Sequence, residues 1–589
     1  KHIKLTSMKL RKIFFLTLGL SAAFSFASCE SEKEKEEIVT LNVTPTSIEA
    51  PGRSKESFKV MVETIGPWLA EPNKDFVTVS PTWSIGNTEM TITVDKNRTD
   101  VPRDAEVTIS IDGAEPVTVK IQQEAGVVEE IGQRKFYVTT SGLAEADGLA
   151  WDSATTFEHA YDEAVAGEEI HFAAGTYVPT TALKGADAGE AKNKTFFIDK
   201  NISLIGGYSA NPSKGEVADP AKNATVFSGK LSDDVKAFHV MVFGAAIEEG
   251  KSVLVKGIKI QDGSADGCPG TSVNGVNIAG GRGGAFVVQG NTNVTLEDCT
   301  ISDNAAKEGG AIHVNLNKTG ALTLNRCAVN NNVSASASGA ISSTKSRLFI
   351  YDSSFDGNKA ATNGGAMMID GHWNQTSGDQ SYFYIYGSTF TNNTCNGAGS
   401  AFYAIWGDHG VIVNCTFTGN KNTAQWGTVA VHMGEVNIIN TTITGNSGKN
   451  VGGLVSKNAS GIKVWNSIIA GNTSSIEGSE EVGYENDGSQ RITFNTTLVG
   501  KQLYNASGSA SEVAFDPASM LGQLSDNGGY TKTIALVGSS NPAVTGGLTA
   551  EQLSGIAEDT IVPVADRTLL AKDQRGEARK GKHLGACAK

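Results

Sequence analysis

The sequence predicts an all-β protein, a parallel β-solenoid preceded by a small β-sandwich, and three observations carry that prediction. The first is a spacing. Asn304, Asn332, Asn358, Asn393, Asn420, Asn446 and Asn472 recur at intervals of about 26 residues. Three residues before each stands an apolar side chain (Ile301, Val329, Phe355, Phe390, Phe417, Ile443, Ile469), and eight before stands another (Leu296, Leu324, Ile350, Ile385, Ile412, Ile438, Val464). The second is composition: the chain has 67 Gly, and 23 of its 40 Asn fall between 300 and 472, which are the residue types that repeated corners demand. The third is a set of short alternating segments between 38 and 125, separated by Pro, Gly, Asn and Asp, at the near-regular spacing of a sandwich.

Bulk properties narrow the function. With 589 residues, 39% hydrophobic and 19% charged, the chain is too long and too apolar for disorder, and it holds ample material for a core. Its net charge of −14, with no basic domain or Lys/Arg stripe, argues against a nucleic-acid binder held by phosphate contacts.

In chain order, residues 1–28 come first. Met8 to Lys12 is basic and Ile13 to Ala27 is apolar, a signal-peptide layout too short to span a bilayer. Either Lys1 or Met8 serves as the start. Phe26-Ala27-Ser28-Cys29 resembles a bacterial lipobox, which implies cleavage before Cys29 and lipidation of its thiol. Removal of the leader takes away Lys1, Lys4, Lys9, Arg11 and Lys12, so the net charge goes from −14 to −19. Residues 29–37 form an acidic tether that cannot bury itself. They resemble the surface-export signal of Bacteroidetes lipoproteins, which implies an outer-membrane, surface-exposed protein held to the membrane by its N-terminal lipid.

Residues 38–125 hold the predicted sandwich. Leu41-Asn42-Val43-Thr44-Pro45, Pro67-Trp68-Leu69, Phe76 to Pro81, Asp95-Lys96-Asn97 and Val119 to Gln123 resemble the BACON domain. That resemblance implies an immunoglobulin-like fold next to a lipid anchor and a carbohydrate- or mucin-binding or spacing role. Trp68 and Trp83 read as core residues before sugar platforms.

After a linker at 126–135, residues 136–505 are expected to form the solenoid. Between successive Asn positions lie Gly309-Gly310-Ala311, Ser338-Gly339-Ala340, Gly364-Gly365-Ala366, Gly399-Ser400-Ala401, Gly427-Thr428-Val429 and Gly452-Gly453-Leu454, which turn the chain and start the next strand. Like residues then stack in columns at about 4.8 Å per coil. Gly309 to Ile312 and the Phe-x-x-Asn units at Phe355, Phe390 and Phe417 resemble chlamydial polymorphic outer-membrane protein repeats and the wider right-handed parallel β-helix group that includes pectate lyases. Tyr137-Val138, Trp151 and Ile170 to Tyr177 resemble the opening of such helices. Phe157, Ala160, Tyr161 and Ala164 share one helical face and are expected to cap the first coil. In residues 506–589, Asp526 to Thr531, Asn541-Pro542-Ala543, Asp573 to Gly576 and Leu584 to Cys587 resemble the choice-of-anchor Q segment, read as a C-terminal cap.

The chemistry is less explicit. The Asn column reads as structural, each side chain bonding its neighbours above and below. Cys299 and Cys327 share one repeat position; two stacked thiols are placed to bridge, but Ser353, Ser388, Cys415, Thr441 and Ser467 at equivalent places favour a column of small core residues. Neither a CxxC nor a His partner at metal spacing appears, so no metal and no cofactor are expected. An insertion in the 35-residue gap carries His372 and Trp373, and matching places in the next coils hold Trp406, Asp408, His409, His432 and Glu435. Stacking brings these onto one side as an aromatic and polar patch suited to sugars. Asp233-Asp234 and Asp408-His409-Gly410 are only fragments of the acid and base sets that the resembling enzymes imply, and no catalytic set is assigned. The expectation is therefore a lipid-anchored surface protein presenting a β-helix for adhesion or glycan, mucin or polysaccharide binding without catalysis. Its alternatives are a polysaccharide lyase or glycoside hydrolase on the same scaffold, and a structural surface spacer.

Overall fold

The computed structural model describes residues 39–126, 132–244, 251–273, 275–316, 320–371, 381–406, 409–424, 426–458, 460–485, 492–500, 507–511, 516–538, 540–556 and 560–588. The leader, Cys29 and the acidic tether lie outside the described residues, as do His372, Trp373 and Asp408. The chain divides into two compact units, Lys1–Glu129 and Glu130–Lys589.

The first unit is a sandwich. One sheet pairs Asn42–Thr44, Glu56–Glu63, Thr88–Val94 and Val77–Ser80 in antiparallel order. The other runs Ser47–Ala50, Val117–Gln123, Arg103–Ile111, Pro67–Pro72 and Trp83–Ile85. The strands alternate, so Val60, Val62, Ile92, Val107, Ile109 and Val119 interdigitate between the sheets. Trp68 belongs to that core and its Nε1 donates to the Gly86 carbonyl at 3.1 Å, whereas Trp83 stands 64% exposed on an edge strand. Trp83 therefore departs from the core reading, because on this short edge strand Trp83 and Ile85 fall on the outward positions and Ser84 on the inward one.

The second unit is a right-handed parallel β-helix. Its coil is shown by the residues that open the Asn series: a five-residue strand Asn293–Glu297, a three-residue strand Thr300–Ser302, a two-residue strand Ala305–Ala306 and a strand Ile312–Leu316. Each pairs in parallel with its counterpart one coil on. Period-two alternation makes Val294, Leu322, Leu348, Phe383, Val436 and Ile462 an internal column. The glycine in that column, Gly410, has a cause: a Cβ there would lie 2.3 Å from the Phe383 ring, which already fills the space. Phe355, Phe390 and Phe417 stack with centroids 4.7 Å apart and planes within 4° and 7° of parallel, the coil rise imposed on three rings.

At the Asn corner each side chain is buried and used fully. Asn332 donates from its backbone N and its Nδ2 to Asn358 Oδ1, both at 3.0 Å, and Asn358, Asn393, Asn420 and Asn446 repeat the pattern. Asn472 closes the ladder on the Glu481 carboxylate at 2.7 Å. A second column, five residues before, hangs on hydroxyls: Cys327 N donates to Ser353 Oγ, and Ser353 N to Ser388 Oγ. Cys299 and Cys327 are free, buried thiols in it.

The first coil is covered by the helix Phe157–Glu163, whose Thr156 side chain accepts from His159 N and whose Phe157 and Ala160 join the solenoid core. The C-terminal segment lies along the side of the solenoid. Leu553, Ile556, Val562 and Leu570 pack on the outward Tyr384, Tyr386, Val411, Val413 and Ile439, and the buried Arg579 donates to Asn414 Oδ1. No helix among the described residues is long and apolar enough to cross a membrane.

Candidate active site

Between the five-residue and three-residue strands the chain turns through one residue in the left-handed region. In successive coils this corner is Gly257 (φ 65°), Asp298 (52°), Arg326 (52°), Asp352 (47°), Gly387 (63°), Asn414 (53°), Asn440 (51°) and Asn466 (47°). Gly, Asn and Asp enter that region at low cost, and Arg does so at greater cost. Arg326 is the exception in the column, which marks a position where a side chain is needed.

Its neighbours say what it does. Arg326 grips Asp298 through Nε at 2.7 Å and through its terminal nitrogen at 3.0 Å, a bidentate pair, and Glu297 lies 3.6 Å away. On the other side stands Asp352. Burial pushes its carboxyl up to about 6, against the pull of the Arg326 guanidinium, and it has no hydrogen-bond partner among the described residues. Over the group, the C-terminal segment lays a loop: Thr531 Oγ1 donates to the Gly387 carbonyl at 2.8 Å, which fixes Tyr530 with its ring 5.4 Å from the Arg326 guanidinium and 70% of its surface in solvent. Two carboxyl groups in unlike environments thus flank one cation beneath an exposed aromatic face. Asp298 and Asp352 are two coils apart, or about 10 Å between Cα atoms at the strand spacing of roughly 4.8 Å.

The patch expected from the sequence is placed elsewhere, at the corner that leads into the five-residue strands. Trp406 and His432 come together with ring centroids 6.4 Å apart. Asn458 Nδ2 donates to His432 Nε2 at 2.9 Å, which leaves Nδ1–H to donate to the Tyr403 hydroxyl at 3.0 Å. Both ring nitrogens are therefore engaged within the protein. His409 opens the next strand, in register with Tyr382 and Glu435. Asp298, Arg326, Asp352 and Tyr530 were not singled out by sequence reasoning. The signal was available, since position −6 relative to each aligned Asn reads Asp, Arg, Asp, Gly, Asn, Asn, Asn. No group of three or more His, Cys, Asp or Glu side chains able to hold a metal occurs among the described residues.

Comparisons with known proteins agree with the two-part architecture. The BACON family, described as "Putative binding domain, N-terminal", matches residues 66–124, and the family described as "Right handed beta helix region" matches residues 228–371. A sequence comparison with curated proteins returns no match. Among solved structures, a GH5 xyloglucanase of Bacteroides ovatus in complex with a XXXG heptasaccharide is 15% identical, with 37% of this chain covering 46% of that one, at a TM-score of 0.14. This chain thus spans less than half of that protein's length. The complex structure of XylC with xylose is 10% identical over 75% of this chain and 82% of that one, at 0.34. The pectate lyase Pel9A is 14% identical over 77% and 88%, at 0.29. These likenesses transfer no residue role and no activity. They do correct the expectation of glycan presentation without catalysis, and the expectation that the protein is not an enzyme: the matched structures include a xyloglucanase and a pectate lyase. That reading is not carried forward.

Proposed function

We propose that this protein is a polysaccharide-degrading enzyme that cleaves glycosidic bonds at the corner column Asp298, Arg326 and Asp352. The observation that carries this reading is the pair of carboxyl groups on either side of Arg326, one ion-paired and one pushed up to about 6. A carboxyl group that keeps its proton near neutrality is a proton donor to a leaving oxygen, and a charged carboxylate beyond it orients water. Tyr530 offers its exposed face to a sugar ring, and Trp406 with His432 provides a second docking position along the same solenoid. The BACON-like unit, with Trp83 exposed, fits a glycan-holding role beside the enzyme. Export and anchoring complete the reading, supported by the basic and apolar leader and by Cys29.

The test is incubation of the mature chain with pectins, xylans, xyloglucan and mucin. New reducing ends are expected from one of them. Asp352→Asn is expected to lower the rate about a hundredfold or more with an unchanged melting temperature, and Tyr530→Ala to raise KM. Products with unsaturated ends would replace hydrolysis by elimination. No product from any substrate, or an Asp352→Asn chain as active as the parent, would remove the assignment. Loss of palmitate labelling in Cys29→Ala checks the anchor.

A further inference from the structure

We propose that Cys268 and His239 form a second reactive site, which takes the acyl group of a small ester. Of the six cysteines among the described residues, five are buried and Cys268 is the one partly open to solvent. It lines a cleft of about 170 Å³ together with His239, Thr195, Phe238, Lys192 and Thr271, room for a group the size of several water molecules. The site lies in coils that precede the Asp298 corner and shares no residue with it.

The tautomer of His239 follows from its partners. Nδ1 lies 2.9 Å from the Gly283 carbonyl oxygen, which can only accept, so the ring proton is on Nδ1. Nε2 is then a lone pair, and it faces the Cys268 sulfur at 3.6 Å, within reach of the thiol proton. Burial pushes His239 down to about 4, so the imidazole is neutral over the ordinary pH range. Thiol, imidazole and the carbonyl that orients the imidazole are thus each within hydrogen-bond reach of the next, the arrangement that serves a thiol nucleophile.

The reaction is an acyl transfer. Cys268 Sγ attacks the ester carbonyl carbon while its proton passes to His239 Nε2. The carbon–oxygen bond then breaks, the proton leaves with the alkoxide as an alcohol, and a thioester remains on Cys268. Water hydrolyses the thioester to a carboxylic acid and restores the thiol. Nothing is oxidised or reduced.

The experiment treats the mature chain with p-nitrophenyl acetate and follows nitrophenolate release and peptide masses. One acetyl group is expected on the peptide that contains Cys268. Cys268→Ser and Cys268→Ala should lose it, and His239→Asn should slow it about a hundredfold. The parent chain adds a test that needs no variant. A thiol served by a neutral imidazole reacts at a nearly constant rate from about pH 5 to pH 8, whereas an unassisted thiol gains close to tenfold per unit through its thiolate. A near-tenfold rise per unit, acetylation of Lys192 in place of Cys268, or an unchanged rate in Cys268→Ala would overturn the proposal. The polysaccharide-cleaving reading stands or falls separately, since Asp352→Asn leaves this reaction intact.

Discussion

Replacing Asn393 by Ala removes the central rung of the ladder, and the cost can be worked from its bonds. The Asn393 side chain is fully buried. Its Nδ2 donates to the Phe355 carbonyl and to Asn420 Oδ1, each at 2.9 Å, and its Oδ1 accepts from Asn358 N and Asn358 Nδ2, each at 3.0 Å. Four hydrogen bonds are lost, at a net contribution of about 1 kcal/mol each. Asn420 Oδ1 still accepts from the backbone N of residue 393 and Asn358 Nδ2 still donates to the Val329 carbonyl, so the Asn358 backbone N–H is the donor left stranded. One stranded donor at about 1–3 kcal/mol on top of four bonds at about 1 kcal/mol each gives an expected loss of about 5–7 kcal/mol. Urea unfolding of the parent and of Asn393→Ala measures the difference. Thr394→Ala, one residue on and outside the ladder, is the control and should cost under about 0.5 kcal/mol. Hydrogen exchange gives the local readout: the Asn358 amide, whose acceptor is Asn393 Oδ1, should lose protection before amides of distant coils. A loss below about 1 kcal/mol in Asn393→Ala, with the Asn358 amide still protected, would refute the view that the column holds the corners by side-chain bonding.

Other outcomes follow from the same geometry. Burial pushes Glu481 up to about 7 from an ordinary 4.5, against the donors Asn472 and Gly471. The folded chain therefore binds that proton more tightly than the unfolded chain, and the associated stability is present below about 4.5 and lost as pH rises through about 7. Glu481→Gln should flatten the fall of melting temperature across that window, and an equal fall in both chains would contradict it. Phe390→Ala breaks the stack with Phe355 and Phe417 and should cost about 3–5 kcal/mol by urea unfolding. In a thiol titration Cys268 should react within the native state, while Cys299, Cys327, Cys395, Cys415 and Cys587 stay silent until denaturant is added. Gly387→Ala should disturb activity as well as stability, because φ there is 63° and an added Cβ would lie 2.2 Å from Asp352 Oδ1.

The solenoid was legible because its repeat is a local, periodic demand. A corner needs Asn to satisfy buried backbone groups, Gly to turn, and aliphatics at fixed offsets to fill the column, and each need recurs once per coil. The Asn column, the small-residue column and the Phe stack all sit where the spacing places them. The positions of the candidate site were harder to see because they break the pattern at single positions. Arg326 counts as one more charged residue until its left-handed backbone and its bidentate hold on Asp298 are visible. Asp352 stands out only through its burial in the fold. His432 offered two ring nitrogens to a ligand on paper, and in the fold Tyr403 and Asn458 occupy them.

What the sequence by itself determined is the fold class, the coil and the residues that line it, since strand alternation and corner chemistry are properties of neighbours a few residues apart or one repeat apart. What only the tertiary structure decided is where the C-terminal segment goes and what it creates. It lies against the side of the coils, where an outward row of Tyr and aliphatic side chains needs cover, and so brings Tyr530 over Arg326, 204 positions away in sequence. That docking rests on apolar burial, which is non-directional and leaves no spacing to read. The same holds for His239 and Cys268, 29 positions apart and joined only because one coil turns back beside another.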